Sequence, residues 1–169
     1  MPTKRLFFLV AVLCLILLFV IAFLQSFVRT EQKVNVTVTP STSSINVSSK
    51  ITAVQFADTN IPVTLASTVA EQQRGLSGRT SLGANEGMLF VFPVADTYGF
   101  WMKEMKFSLD IIWIDENGVV TYIARDLQPN SFPQVFNPDQ KSLYVLEVNA
   151  GFAASHAIKV GDQATFITN

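Results

Sequence analysis

Nineteen consecutive apolar side chains run from Leu6 to Leu24 (LFFLVAVLCLILLFVIAFL), with no charge and no proline among them. As a helix this run would rise roughly 28 Å, close to the hydrocarbon thickness of a bilayer. Lys4 and Arg5 precede it, and Arg29 and Lys33 follow. A positive start suits both a secretory signal and the cytoplasmic flank of an anchor. Length separates the two. A cleavable signal has an apolar core of about 7–15 residues and then a small-x-small site, whereas Val20-Ile21-Ala22 offers such a site only loosely and still inside the run. The sequence therefore predicts a single uncleaved transmembrane helix within an anchor segment at 1–28. Residues 6–24 would partner the lipid bilayer, with the short N-terminus in the cytoplasm and the rest of the chain outside it.

Residues 29–50 (RTEQKVNVTVTPSTSSINVSSK) change character abruptly. Seven Ser or Thr and Pro40 lie between Thr37 and Ser48, with no charge among them. Such a stretch buries too little surface to offset its ordering entropy and reads as a flexible stalk. Asn35-Val-Thr37 and Asn46-Val-Ser48 fit the glycosylation triplet, which a Ser/Thr/Asn-rich stalk also produces by chance.

Residues 51–169 suffice for one domain with a core. They carry 7 Lys and Arg against 12 Asp and Glu, a net charge of −5. A nucleic-acid partner is excluded on that balance, since phosphate contact needs clustered cations. The only Cys is Cys14, inside the apolar run, and the only His is His156. No disulfide, no Cys or His-rich metal site and no cofactor is implied.

The domain reads as short β-branched and aromatic runs between turn residues. Residues 51–57 and 61–66 form a hairpin about Asp58-Thr-Asn60. Thr68-Val-Ala-Glu71 is a capping box and Gly75 a C-cap, enclosing one short helix. Further strands are expected at Met88–Phe92, Tyr98–Met102, Leu109–Ile114, Val119–Arg125, Leu143–Val148 and Ala164–Thr168. Asn117-Gly118 marks a hairpin turn, and Gly151–His156 a single helical turn. The fold class is mostly β (α+β), a compact antiparallel barrel or sandwich. The segment Asp126–Ser142, with three prolines and with Phe132 and Phe136, is longer than loops in compact domains usually are. It is either an Ω-loop pinned by its phenylalanines or a flap that closes over a ligand.

Two carboxylates interrupt apolar strands, Asp110 in Leu-Asp-Ile-Ile-Trp-Ile and Glu147 in Val-Leu-Glu-Val. Ile112 and Ile114 share the parity of Asp110, and Leu109, Ile111 and Trp113 share the other. Both faces of the strand are apolar, so Asp110 is expected to be at least partly buried and to need a cation or several N–H donors. Arg74, Arg79 and Lys103 are the candidate cations. Asp110 and Glu147 are either an acid/base pair or structural counter-charges and backbone clamps. Arg74 and Arg79 can fork onto an anionic ligand or neutralise the two acids internally. Trp101 beside Lys103 either lines a ligand pocket or packs in the core.

Several of these motifs stand in one register: Thr68-x-x-Glu71…Arg74-Gly75-Leu76-x-x-Arg79, Gly87-Met88-Leu89-Phe90-x-Phe92, Phe100-Trp101-Met102-Lys103 and Leu109-Asp110-Ile111-x-Trp113-Ile114-Asp115, followed by Val145-Leu146-Glu147, Gly151 and Gly161-Asp162. Over about residues 53–167 the chain resembles the domain of unknown function 192 family, departing from its pattern at Ser77, Glu104-Met105 and Ser108. The resemblance implies a compact, mostly β domain that often follows a signal or an anchor, and it implies no reaction.

Two kinds of function follow. One is a membrane-tethered, extracytoplasmic binding module for a small anionic or amphipathic envelope ligand or partner, using Arg74, Arg79, Trp101, Lys103, Asp110 and Glu147. The other is a cell-envelope hydrolase or transferase using Asp110 and Glu147, whose carboxylates would then converge on one cleft. The orientation has its own test. Protease added to intact cells or spheroplasts should digest the domain, and protection until lysis would reverse the topology.

Overall fold

The computed structural model describes residues 51–169. The anchor and the stalk expected at 1–50 lie outside the described residues. Among the described residues no helix is long and apolar enough to cross a membrane.

The elements in chain order are β1 (Ile51–Phe56), β2 (Thr59–Ala66), α1 (Val69–Arg74), β3 (Gly87–Asp96), β4 (Phe100–Trp101), β5 (Leu109–Ile114), β6 (Val120–Leu127), β7 (Val135–Phe136), β8 (Ser142–Asn149), α2 (Phe152–Ser155) and β9 (Ala164–Thr168). The capping box is present: the Thr68 hydroxyl accepts from Glu71 N, while the Glu71 carboxylate accepts from the Thr68 and Ser67 N–H groups at 2.9 and 3.0 Å. Those N–H groups hold the Glu71 carboxyl below its ordinary value. At the Asn117-Gly118 turn, Asp115 accepts from the N–H groups of Asn117 and Val119. Gly118 takes φ +83° there, and a Cβ would lie 2.8 Å from the Ala164 carbonyl.

Seven strands form one sheet in the order β6-β5-β8-β3-β2-β1-β9, and β4 pairs with β7 in a separate two-stranded piece. All neighbours in the large sheet are antiparallel except β2 and β3, which α1 and the segment after it connect in parallel. Side chains from β1, β2, β9, β5 and β8 meet in a single cluster that includes Val54, Phe56, Ile61, Ile112, Ile114 and Leu146. Strands far apart in the sheet order therefore pack together, and the sheet curls. It does not close into the barrel that the sequence suggests. The starts of β6 and β9 meet over a short stretch, at the bridge between Val119 and Gln163 and the backbone bonds linking Gly118 and Val120 to Gly161, Asp162 and Ala164. Beyond that bridge α2 and its neighbours intervene: Phe152, Ala153 and Ile158 join the inner cluster, and Arg125 on β6 donates to the Ile158 carbonyl at 2.8 Å.

The outer face carries a second cluster. Met88 and Phe90 of β3, Leu109, Ile111 and Trp113 of β5, and Val145 of β8 pack there with Leu76 and Met102. All six residues of β5 are buried, because alternate side chains serve the two cores. The 126–142 segment is not structureless. It contributes β7, which pairs Phe136 with Phe100 and Val135 with Trp101. Phe136 packs against the outer core while Phe132 stays exposed.

Asp110 is on the inner face and fully buried. Of the two kinds of partner the sequence leaves open, a cation or N–H donors, it has the second: Oδ1 accepts from Asp126 N at 2.9 Å and Oδ2 from Ala153 N at 3.0 Å. Each donor is one that regular structure cannot use. The β5–β6 register shifts between Leu109 and Ile111, and Asp126 sits in this bulge at φ +51°. Ala153 lies in the first turn of α2, where N–H groups have no helical acceptor. Asp110→Asn replaces an acceptor by an amide NH2 that faces a donor. It should cost roughly 2–4 kcal/mol, the scale of a lost charged hydrogen bond and a stranded donor. Denaturation of the full chain measures this, and an unchanged midpoint would remove Asp110 from its structural role.

Candidate functional site

On the outer face, a pocket of about 190 Å3 opens between α1 and the aromatic side chains of β3, β4 and the turn before β4. Its walls include Phe90, Phe92, Tyr98, Phe100 and Trp101, with Val69, Gln72, Arg74, Gly75 and Met105 around them and Glu147 among the lining residues. Sequence alternation places the rings. Met88, Phe90 and Phe92 share one parity in β3, while Leu89 and Val91 face the inner cluster. Phe100 stands edge-to-face with both Phe90 (4.8 Å between centroids) and Trp113 (5.7 Å). Tyr98 stacks on Phe92. Trp113 donates its indole N–H to the Tyr98 carbonyl at 2.8 Å, fixing the turn that forms one wall. Gln72 donates to the carbonyls of Val91 and Ala66, and so ties α1 to the sheet.

Gly75 closes α1 at φ +50°, ψ −133°, a conformation that a Cβ disfavours. A Cβ would also lie 3.2 Å from the Phe90 ring and 3.8 Å from Oε2 of Glu147. Glycine thus lets the chain pass directly against the ring and the acid.

Glu147 lies opposite Met88 of β3 and Ile111 of β5, in the middle of the sheet. It is only 5% exposed, and its buried Oε2 has no hydrogen-bond partner. Burial pushes its carboxyl up from 4.5 to about 8, and the charge of Arg79 offsets this only in part. The folded protein therefore keeps a proton that the unfolded chain has already lost between these two values. The stability cost of Glu147 grows as pH rises from 4.5 and is complete above about 8.

The sequence-derived candidates divide accordingly. Trp101, 47% exposed, lies on the pocket wall with Glu147. Arg74 borders both this pocket and a neighbouring groove that it shares with Glu71, Arg79 and Met88. Lys103 is exposed and does not line the pocket; its carbonyl, not its ammonium, holds the next segment by accepting from the Ser77 hydroxyl. Asp110 is on the other face of the sheet, because it pairs with Val148 of the inner core while Glu147 points outward. The two carboxylates do not converge on a common cleft, and the acid/base pair is not formed. The 126–142 segment supplies none of the lining residues; it braces Trp101 through β7 instead of closing over the pocket. Sequence reasoning missed Phe90, Phe92 and Gly75 as lining residues. The Phe-x-Phe spacing in β3 is the signal that carried the first two.

Among the described residues no group of His, Cys, Asp and Glu is arranged to hold a metal ion. Among curated proteins none matches the chain. The chain is similar to a solved structure of a protein of unknown function from Novosphingobium aromaticivorans DSM 12444, with 36% identity over 68% of this chain and 84% of that one, and a TM-score of 0.64. It is also similar to a protein from Sinorhizobium meliloti 1021, named as a candidate transcription regulator, with 26% identity over 68% of this chain and 90% of that one, and a TM-score of 0.63. The family model of the domain of unknown function 192, described as "Uncharacterized ACR", matches residues 51–166, and the chain belongs to this family.

Proposed function

We propose that the domain is a binding module for a small amphipathic ligand, presented outside the cytoplasm on a bilayer anchor formed by residues 6–24. The observation that carries this reading is the aromatic pocket that has among its lining residues an acid, Glu147, whose buried Oε2 has no partner. Five aromatic side chains provide an apolar enclosure, and Gln72, Gln73, Arg74, Ser77 and Glu147 add polar groups at its wall, a mixture suited to a small-molecule site. The size sets the scale. A dry cavity of about 150 Å3 takes a benzene ring, so 190 Å3 suits one ring or a short chain rather than a whole cofactor. Arg74 and Arg79 border the adjoining groove, where guanidinium groups can hold an anionic part of the ligand that projects from the pocket.

The regulator name given to the Sinorhizobium meliloti protein does not extend to this chain. A net charge of −5 over residues 51–169 and walls of aromatic and apolar side chains do not suit a phosphate backbone. Hydrolysis by Asp110 and Glu147 has no support, since they occupy opposite faces of the sheet.

Trp101 reports on this reading. It is partly exposed while Trp113 is fully buried, so a ligand in the pocket should shift the emission of Trp101 and leave that of Trp113 unchanged. A screen of single-ring and short-chain amphiphiles by fluorescence should find such compounds. Trp101→Ala should weaken them about tenfold, the scale of one lost aromatic contact, while costing no more than about 1 kcal/mol of stability, as a surface substitution does. Hits that bind equally well to the Trp101→Ala protein would place binding elsewhere.

A further inference from the structure

We propose that the pocket receives an alkyl- or arylammonium group, whose N–H donors complete the hydrogen bonding of the Glu147 Oε2 and whose charge lies within the aromatic walls. The inference deepens the binding reading above and rests on it. Three observations favour a cation. First, the buried Oε2 has no partner, and a native protein rarely leaves such a group unsatisfied. Second, no donor of the chain reaches it. Gln73, Arg74 and the Trp101 indole line the pocket without bonding this oxygen, and the other nearby donors are spent elsewhere. Gln72 donates to Val91 and Ala66, the Ser77 hydroxyl to Lys103, and the Tyr98 hydroxyl to Val94, all to backbone carbonyls. A ligand can therefore supply the missing donor. Third, the enclosure is built from Phe90, Phe92, Phe100 and Trp101 with Tyr98. Aromatic faces are negative and attract ammonium groups, an attraction that grows as water is excluded. A neutral amide gains less from such walls, and a carboxylate would face the negative ring faces and, once Glu147 has lost its proton, a like charge.

Binding carries a proton balance. The acid enters protonated near neutral pH and must release its proton to solvent as the ammonium ion arrives, because an ion pair needs the carboxylate. The charged and titratable groups around it are few. Arg74 and Tyr98 share the pocket walls, Arg79 is the cation that acts on Glu147, and Glu71 is committed to the α1 cap. β3 and β5 present only Met88 and Ile111 to Glu147 across the sheet. Between pH 6 and 8 Glu147 is thus the group whose titration controls ammonium affinity.

Benzylammonium, benzamide and benzoate share one ring and differ in the polar end. Each can be titrated into the full chain, held in a neutral maltoside detergent, with the Gly75 amide and the Trp101 indole followed by NMR. Benzylammonium should shift both signals. Its affinity should rise about tenfold from pH 6 to pH 7 and flatten as pH passes 8, following deprotonation of the acid. Glu147→Gln should weaken benzylammonium at least tenfold and abolish the pH trend, whereas Trp101→Ala should keep it. Binding of benzamide or benzoate in place of benzylammonium would overturn the ammonium assignment and leave the binding module standing. So would an affinity that falls with rising pH, a test the unaltered protein supplies by itself. Silence from all three compounds would remove both.

Discussion

A buried aspartate holds together the parts of this fold that hydrogen-bonded ladders cannot. Asp110 stands on β5, whose two faces serve two cores, and its carboxylate reaches the bulge in β6 on one side and the first turn of α2 on the other. The bulge puts Asp126 into a left-handed conformation, which takes its N–H out of the β ladder. The start of α2 leaves N–H groups that no helical carbonyl can accept. One side chain satisfies both, and α2 is thereby fixed beside the short stretch where β6 and β9 meet. Ala153, Phe152 and Ile158 then complete the inner core, so the sheet can curl around one cluster without closing.

With the inner core closed in this way, the outer face of β3, β8 and β5 is free to carry a second layer. α1, the Gly75 turn and the β4–β7 pair supply it. The second buried carboxylate belongs to this layer and has the opposite character. Asp110 has donors for both oxygens. Glu147 has a buried oxygen with none, beside rings that give it no hydrogen bond, and only the partial help of Arg79. A buried group left unsatisfied costs stability. Such a cost is expected to persist where a bound partner relieves it, and the geometry around Glu147 is that of a pocket rather than a packed interior.

Much of the fold was legible in the residues because local chemistry decided it. Thr68 and Glu71 form their capping box, Gly75 ends α1, and Asn117-Gly118 turns β5 into β6. The run Leu109–Ile114 is a strand buried on both faces, as its parity required. What escaped depends on contacts between distant segments. β7 is two residues long and exists only because Phe100 and Trp101 offer it an edge. Barrel closure turned on whether the two ends of the sheet pair along their length, and they meet only over the short stretch about Val119 and Gln163. Parity within its own strand pointed to a buried Asp110. It gave no relative phase between β5 and β8, and the register that puts Asp110 beside Val148 is what sends the two acids to opposite faces.

The most direct measurement is a pH titration of the Glu147 side-chain carboxyl carbon by NMR, in the ligand-free protein. A buried carboxyl among aromatic side chains, lacking a donor and only partly compensated by Arg79, should titrate near 8. A midpoint near the ordinary 4.5 would mean that water or a cation already satisfies this oxygen, and would contradict a pocket built around an acid that awaits its partner.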